Sequence, residues 1–307
     1  MMSNKLLALL SALITFTLVF GGYTFLFANN KSQKLVSPLP ESGILIKKST
    51  NLKSISEVQI SIAVEDALIG TKGIYGVVIK DLKTGETFTQ NENRIFEAAS
   101  LYKLWIMAET VKRLEEESLK HEQVLSGDIK DLNERFDIAT EAAELQEGTV
   151  SMTVKEALDE MISISHNYAA LLLSAKIRLS NVSKFLKNEG FTASKLGEPP
   201  VTNALETAQF LEKIYQKNLV SQKASEQMMN LLKKQEKNNK IPKYLPENVT
   251  IAHKTGEIGA FSHDAGIVFL EDRDYLIVIL SESNDPRGAE ERIAKISKNL
   301  YSVFNSE

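Results

Sequence analysis

The sequence predicts an α/β (α+β) fold, in which an antiparallel sheet is flanked by helices and an all-helical lobe lies beside it. Two patterns indicate this architecture. Apolar runs typical of strands lie near both ends of the domain, and segments with helical spacing fill its middle. Strands from the two ends can pair in one sheet, so we predict a sheet lobe at about 56–99 and 249–307. The helical lobe covers about 100–248, with the active site between the lobes.

The first elements are a helix and a hairpin. Residues 56–69 carry apolar side chains at the i, i+3, i+4, i+7, i+8 positions of one helix face. Residues 76–79 read as a strand, which Lys83-Thr84-Gly85 interrupts, and residues 86–89 return as its partner. Further helices and strands follow in the order expected for the two lobes. The helices are at 100–119, 153–179 with a break near Ser165, 202–215, 221–235 and 289–303, and the strands are at 249–253, 265–270 and 275–281.

The N-terminal segment has the length and composition of a membrane span. Residues 6–28 contain no charged side chain, and as a helix they would be about 34 Å long. A bulky residue precedes the one plausible cleavage point, so we predict an uncleaved anchor over 1–28 in preference to a cleaved signal. Residues 29–55 are polar, contain two prolines and read as a linker. We expect a single-pass membrane protein with an extracytoplasmic catalytic domain, or an exported one if the segment is cleaved.

Composition excludes several classes of function. The 307 residues carry a net charge of −4 and no long basic run, so nucleic-acid binding is not predicted. The chain has no cysteine, which excludes disulfides and thiolate chemistry, and its four histidines form no pair with metal-ligand spacing. We therefore predict neither a metal site nor a cofactor, and we expect a monomer.

Three short motifs point to acyl transfer on a serine. They occur in the order Ser100-Leu101-Tyr102-Lys103, Ser165-His166-Asn167 and Lys254-Thr255-Gly256. In the first, positions i and i+3 share a helix face, so the lysine amine can accept the serine proton. The helix start also offers backbone N–H groups to a developing oxyanion. A serine N-cap with a surface lysine is the alternative interpretation of this motif alone.

The other two motifs supply the rest of a site. Ser165 can relay a proton to a leaving nitrogen, and Asn167 can hold a substrate amide oxygen. The third motif ends a strand, where Lys254 and Thr255 can bind a carboxylate and Gly256 allows a close approach. The N–H of Glu257 is the expected second oxyanion donor, beside that of Ser100. The earlier Lys83-Thr84-Gly85 is interpreted as a hairpin turn.

With these motifs, residues 56–305 resemble the class A β-lactamases and their relatives among the penicillin-recognising serine enzymes. The resemblance also covers the helix before the first strand and the segment 263–268. It implies the fold of that family, with Ser100 as the acylated nucleophile and Lys103 as its proton acceptor. It further implies Ser165 and Asn167 as cleft residues and Lys254 with Thr255 as carboxylate binders.

Two departures from the class A pattern bear on function. His166 replaces the usual aspartate of the second motif, and we expect altered packing more than lost chemistry. The loop that carries the deacylating glutamate in class A enzymes is short here. Glu198-Pro199 matches the start of its signature, but Thr202 stands in place of the asparagine. Glu198 is thus a candidate catalytic base, against the simpler interpretation of a solvated loop glutamate.

Three functions fit these residues. The first is β-lactamase-type hydrolysis of β-lactam amides through an acyl-enzyme. The second is a D-Ala-D-Ala carboxypeptidase or penicillin-binding peptidase acting on cell-wall peptides, in which the acyl-enzyme persists because the base is missing. The third is a non-catalytic domain of the same fold that binds a peptide or protein.

Overall fold

The structure, a computed structural model, describes residues 55–305. Its strands in chain order are β1 (Ile74–Asp81), β2 (Thr87–Gln90), β3 (Phe96–Glu97), β4 (Val124–Asp128), β5 (Thr149–Thr153), β6 (Val201–Thr202), β7 (Thr250–Ile258), β8 (Phe261–Phe269) and β9 (Tyr275–Glu282). Its α-helices are α1 (Ile55–Leu68), α2 (Lys103–Glu115), α3 (Ile129–Arg135), α4 (Val154–Ser163), α5 (Asn167–Ile177), α6 (Leu179–Asn188), α7 (Ala204–Tyr215), α8 (Gln222–Leu232) and α9 (Pro286–Phe304). Two 3-10 helices cover Ala99–Tyr102 and Ile241–Tyr244.

A five-stranded antiparallel sheet joins the two ends of the domain. Its strand order is β2-β1-β9-β8-β7, so the first strand pairs with the last. The fold class predicted from the sequence is therefore confirmed. The turn at Lys83-Thr84-Gly85 connects β1 to β2, and Gly85 takes φ = 81°, which a glycine adopts without strain.

Both faces of the sheet are buried against helices. On β9, Leu276, Val278 and Leu280 belong to the apolar cluster shared with the central helices. Ile277 and Ile279 point to the other face, into a cluster formed with α1 and α9. This alternation follows from the period-2 geometry of a strand, and it explains why β9 is apolar throughout.

The two terminal helices cover one face together. The Asn299 amide on α9 donates to the Ala63 carbonyl (3.0 Å), and Arg292 donates to the carbonyl of Ala67 (2.9 Å). These bonds join the first helix of the domain to its last. They hold α1 beside α9 on the sheet, although almost the whole domain separates these two helices in sequence.

The predicted break near Ser165 is confirmed, because it separates α4 from α5 within the helical segment predicted over 153–179. Elsewhere the central segment departs from the prediction. The β4–β5 hairpin and the helices α3 and α6 were not predicted. Residues 129–148, which include α3, separate β4 from β5, and the two strands carry little apolar alternation. The sequence between them therefore has no tight-turn signal that would predict their pairing.

The anchor predicted over residues 6–28 lies outside the described residues. Within residues 55–305, none of the helices combines the length and the apolar character needed to cross a bilayer.

Candidate active site

Ser100 lies where a short strand turns into a helix. β3 pairs with β6, and the Ala98 N–H donates to the Pro200 carbonyl (2.7 Å). Ala99 then takes φ = 45°, a left-handed conformation that is costly for alanine and persists only where its surroundings hold it. The 3-10 helix Ala99–Tyr102 follows, and Ser100 in its first turn lines a cleft. Strained backbone thus precedes the predicted nucleophile directly.

Lys103 is buried, and the second motif holds its amine. Nζ donates to the Ser165 carbonyl (2.5 Å) and to Asn167 Oδ1 (2.6 Å), and it lies 3.2 Å from Ser165 Oγ. Burial lowers the pKa of Lys103 to about 7, opposed by the nearby carboxylate of Glu144, which raises it. In the neutral amine, the two N–H groups donate to the Ser165 carbonyl and to Asn167 Oδ1, and the nitrogen lone pair can accept a proton. Lys103 is therefore suited to act as a base for Ser100 near neutral pH.

The second motif occupies the break between α4 and α5. Ser165 has φ = 63°, which turns the chain sharply before α5 begins at Asn167. His166 is the N-cap of α5, where its Nδ1 accepts the Ala169 N–H (3.1 Å). A histidine can thus perform the capping role that an aspartate commonly performs. The structure places His166 as a packing and capping residue at the rim of the cleft.

The third motif reaches the same hydroxyl from β7. Lys254 Nζ lies 2.9 Å from Ser165 Oγ and donates to the Thr255 carbonyl (3.0 Å). Burial, together with the charge of Lys103, lowers the pKa of Lys254 well below its usual value. Two ammonium groups on one oxygen repel each other, so the arrangement favours a neutral amine at one of them. Ser165 Oγ is the point at which all three motifs meet.

Gly256 allows β7 to pack against the helix that carries the nucleophile. A Cβ at this position would lie 3.2 Å from the Ala98 carbonyl oxygen and 3.3 Å from Ala99 Cβ. A larger residue would therefore push the Ser100 segment away from the strand. Glu257 follows and lines the cleft, where its main-chain N–H is the predicted oxyanion donor.

Two buried histidines support the site from behind. His263 on β8 donates from Nε2 to the Glu97 carbonyl (2.7 Å) and accepts the Ser281 N–H at Nδ1 (3.1 Å). Burial lowers the pKa of His263 to about 4, so the ring is neutral under ordinary conditions. His253 Nδ1 lies 2.8 Å from the buried Asp264 carboxylate on the adjacent strand. The His263 contact with Glu97 ties β3, and hence the Ser100 segment, to the central sheet, and the His253 contact joins β7 to β8 within that sheet.

Three charged residues in or behind the cleft were not predicted from the sequence. Glu144 Oε1 accepts from Asn167 Nδ2 (2.6 Å). Lys240 is fully buried and pairs with the Glu257 carboxylate, which also lies 4.0 Å from Lys237. All three come from irregular segments that carry no motif, so only the folded chain brings them to the site. The cleft has a volume of about 340 Å³ and is lined by Ser100, Glu144, Ile164, Ser165, His166, Asn167, Lys237, Thr255 and Glu257.

Glu198 is a predicted site residue that does not line the cleft. Its loop passes close to the nucleophile segment, since Pro200 accepts the Ala98 N–H. The Glu198 side chain is nevertheless exposed, and among the described residues it is not one of those that line the cleft. The observed orientation matches the simpler interpretation, a solvated loop glutamate.

Comparison with known proteins gives one family. A family model described as the β-lactamase enzyme family matches residues 59–304. The structure of PBP-A is similar at a TM-score of 0.70 and 22% identity, covering 81% of this chain and 97% of that one. A β-lactamase from Sphaerobacter thermophilus is similar at 0.70 and 21%, covering 81% and 98%. A class A β-lactamase from Bacteroides cellulosilyticus is similar at 0.69 and 18%, covering 82% and 99%. The comparison with curated protein sequences found no match.

Proposed function

Because the chain belongs to the β-lactamase enzyme family, we propose that it is a serine hydrolase that opens β-lactam amides through an acyl-enzyme on Ser100. One observation carries the proposal. Lys103 and Lys254 converge on Ser165 Oγ at 3.2 Å and 2.9 Å, so the three sequence motifs form one connected set of proton donors and acceptors.

Acylation uses these residues in sequence. Neutral Lys103 takes the Ser100 hydroxyl proton while Oγ attacks the amide carbonyl carbon. The N–H groups of Ser100 and Glu257 stabilise the negative oxygen that develops. The C–N bond then breaks, and Ser165 passes a proton to the leaving nitrogen. The product of this step is an ester on Ser100 with the amine still attached through the opened ring.

Substrate binding follows from the charges at each end of the cleft. Lys254 and Thr255 are suited to the carboxylate on the leaving-group side, and Asn167 to the amide carbonyl on the acyl side. β-Lactams carry both groups. A similar solved structure, of a PBP-A variant, is described as an acyl-enzyme complex with penicillin G. That description concerns the variant, and it supports penicillins as the first compounds to test here.

A second function is favoured by the position of Glu198. Hydrolysis of the ester needs a water and a base beside Ser100, and this glutamate points to solvent instead. An acyl-enzyme that clears slowly is the property of a penicillin-binding peptidase. We therefore hold a D-Ala-D-Ala peptidase activity on cell-wall peptides as the alternative to a β-lactamase.

Intact-protein mass spectrometry over time tests both functions. The full-length chain is mixed with benzylpenicillin, with Ser100→Ala as the control. An adduct of the drug's mass that clears as the drug is hydrolysed supports a β-lactamase, and one that persists supports the peptidase. The control should form no adduct. An adduct on Ser100→Ala, or a wild-type chain that neither forms an adduct nor hydrolyses the drug, would refute acylation at Ser100.

A further inference from the structure

Asn167 is held between a lysine and a carboxylate. Its Oδ1 accepts from Lys103 Nζ (2.6 Å), and its Nδ2 donates to Glu144 Oε1 (2.6 Å). A lysine amine held in this way donates and a carboxylate only accepts, so the two contacts fix which way the amide faces. Glu144 therefore orients the very group that the proposed function assigns to the substrate's acyl-side carbonyl.

The contact with Glu144 leaves room for that carbonyl. The amide nitrogen has two N–H groups, and Glu144 takes one of them. A substrate carbonyl that accepts the other would lie about 5 Å from the carboxylate, since both acceptors sit about 2.9 Å from one trigonal nitrogen. A substituent one or two bonds from the carbonyl carbon comes within direct reach of Glu144.

The carboxylate is available for a cation. Among residues 55–305, no lysine, arginine or histidine forms an ion pair with Glu144, and its side chain is exposed at the cleft. Lys103 lies on the far side of the Asn167 amide, which already takes its N–H. Lys237, which lines the cleft, and the buried Lys240 are both paired with Glu257. The Glu144 carboxylate is thus free to pair with a cation on a substrate.

We propose that Glu144 is a specificity residue that selects acyl groups bearing an ammonium beside the amide carbonyl and disfavours those bearing a carboxylate there. The inference rests on the proposed acylation of Ser100. It names a substrate class for the site: acyl donors with a primary amine next to the carbonyl that Asn167 binds.

Three penicillins provide a matched series of probes. Ampicillin, benzylpenicillin and carbenicillin share one ring system and differ at the acyl α-carbon, which carries an amine, a hydrogen or a carboxylate. Acylation rate constants are measured by intact mass on the full-length wild-type chain, Glu144→Gln and Glu147→Gln. The last is an exposed glutamate of the same loop that does not line the cleft. At pH 6.5 an α-amino group, with an ordinary pKa of about 7.7–8.0, is protonated.

The readout is the ratio of rate constants within each protein. In Glu144→Gln, we expect the ampicillin-to-benzylpenicillin ratio to fall by about threefold to tenfold, and the carbenicillin-to-benzylpenicillin ratio to rise similarly. Any change in Lys103 alters all three rates together and cancels in the ratio. Glu147→Gln should keep the wild-type ratios.

Two results would overturn the inference, and they differ. Adducts that form with unchanged ratios in Glu144→Gln would refute the role of Glu144 and leave the proposed function standing. If the wild-type chain neither forms an adduct with any of the three penicillins nor hydrolyses them, the proposed function is refuted and the inference with it.

Discussion

Lys103 shows how burial makes an ordinary side chain reactive. Its amine is enclosed by Ser165 and Asn167, and loss of solvation is the main reason that its pKa falls to about 7. Glu144 limits the fall, because a negative charge favours the ammonium form. The predicted base, Lys103, is therefore partly neutral at physiological pH.

The acylation rate should follow this pKa. The neutral form of Lys103 is the active one, so the rate with benzylpenicillin should rise with pH through about 7 and level off above 8. Lys103→Arg should acylate at least about 100-fold more slowly, because a guanidinium stays protonated at these pH values. Rates from pH 5.5 to 9 are measured by intact mass. A flat profile, or a rise centred near the ordinary lysine pKa of about 10.4, would contradict the assignment.

Glu198 is not expected to act as the base that hydrolyses the acyl-enzyme. Its side chain faces solvent, so Glu198→Gln should change the rate at which the adduct clears by less than about twofold. The measurement is the decay of the Ser100 adduct after free drug is removed, with the acylation rate as the internal control. A much slower decay in the variant would mean that the loop turns inward in the acyl-enzyme and that Glu198 is the base.

The motif residues could be assigned from sequence because their types and order are specific to the chemistry. Ser100, Lys103, Ser165 and Lys254 are of this kind. Glu144, Lys237 and Lys240 could not be assigned, since each is an ordinary charged residue in a polar loop. Their roles depend on which side chains the fold brings within a few ångströms of them.

The link between β8 and β3 depends on a neutral histidine. His263 accepts the Ser281 N–H at Nδ1, and protonation of that nitrogen would remove the acceptor. Burial lowers the pKa of His263 to about 4, below its ordinary value of about 6.5. The unfolded chain therefore binds this proton more readily than the folded one, and folding loses stability as pH falls from 6.5 towards 4.

This link predicts a specific pH dependence of stability. Between pH 7 and pH 5, His263 should contribute a loss of about 2 kcal/mol in the free energy of unfolding. His263→Gln has no group that titrates there, so its stability should fall by that much less over the same interval. Urea unfolding at the two pH values measures both proteins. Equal pH-dependent losses would show that His263 is not the group responsible.

The whole domain has two apolar clusters on one sheet. Trp105 on α2 lies in the cluster with the central helices, and Ile293 on α9 lies in the opposite cluster. β9 contributes alternate side chains to both. A loss of packing on either face should therefore destabilise the sheet on which the other depends.

Cooperative unfolding of this kind can be tested by weakening the packing on one face of the sheet and measuring unfolding on the other face. Ile293 is fully buried, so Ile293→Ala should destabilise the domain by about 2–5 kcal/mol. Trp105 is the only tryptophan, and its fluorescence reports on the far cluster. We expect its urea midpoint and the far-UV circular dichroism midpoint to fall together. A fluorescence midpoint that stays at the wild-type value would show that the lobes unfold independently.

The fold class, the order of the main strands and helices, and the three motifs from which we predict acyl-transfer chemistry could all be read from the amino-acid sequence. Apolar periodicity and the order of motifs are properties of the sequence, so they can be recognised before the chain's contacts are known. Folding was needed to show which charged residues lie in and behind the cleft, that His166 caps α5, and that Glu198 is exposed. It also decided the β4–β5 pairing. The charged residues around the cleft and the β4–β5 pairing depend on contacts between residues distant in sequence, where packing and burial set charge, orientation and reactivity.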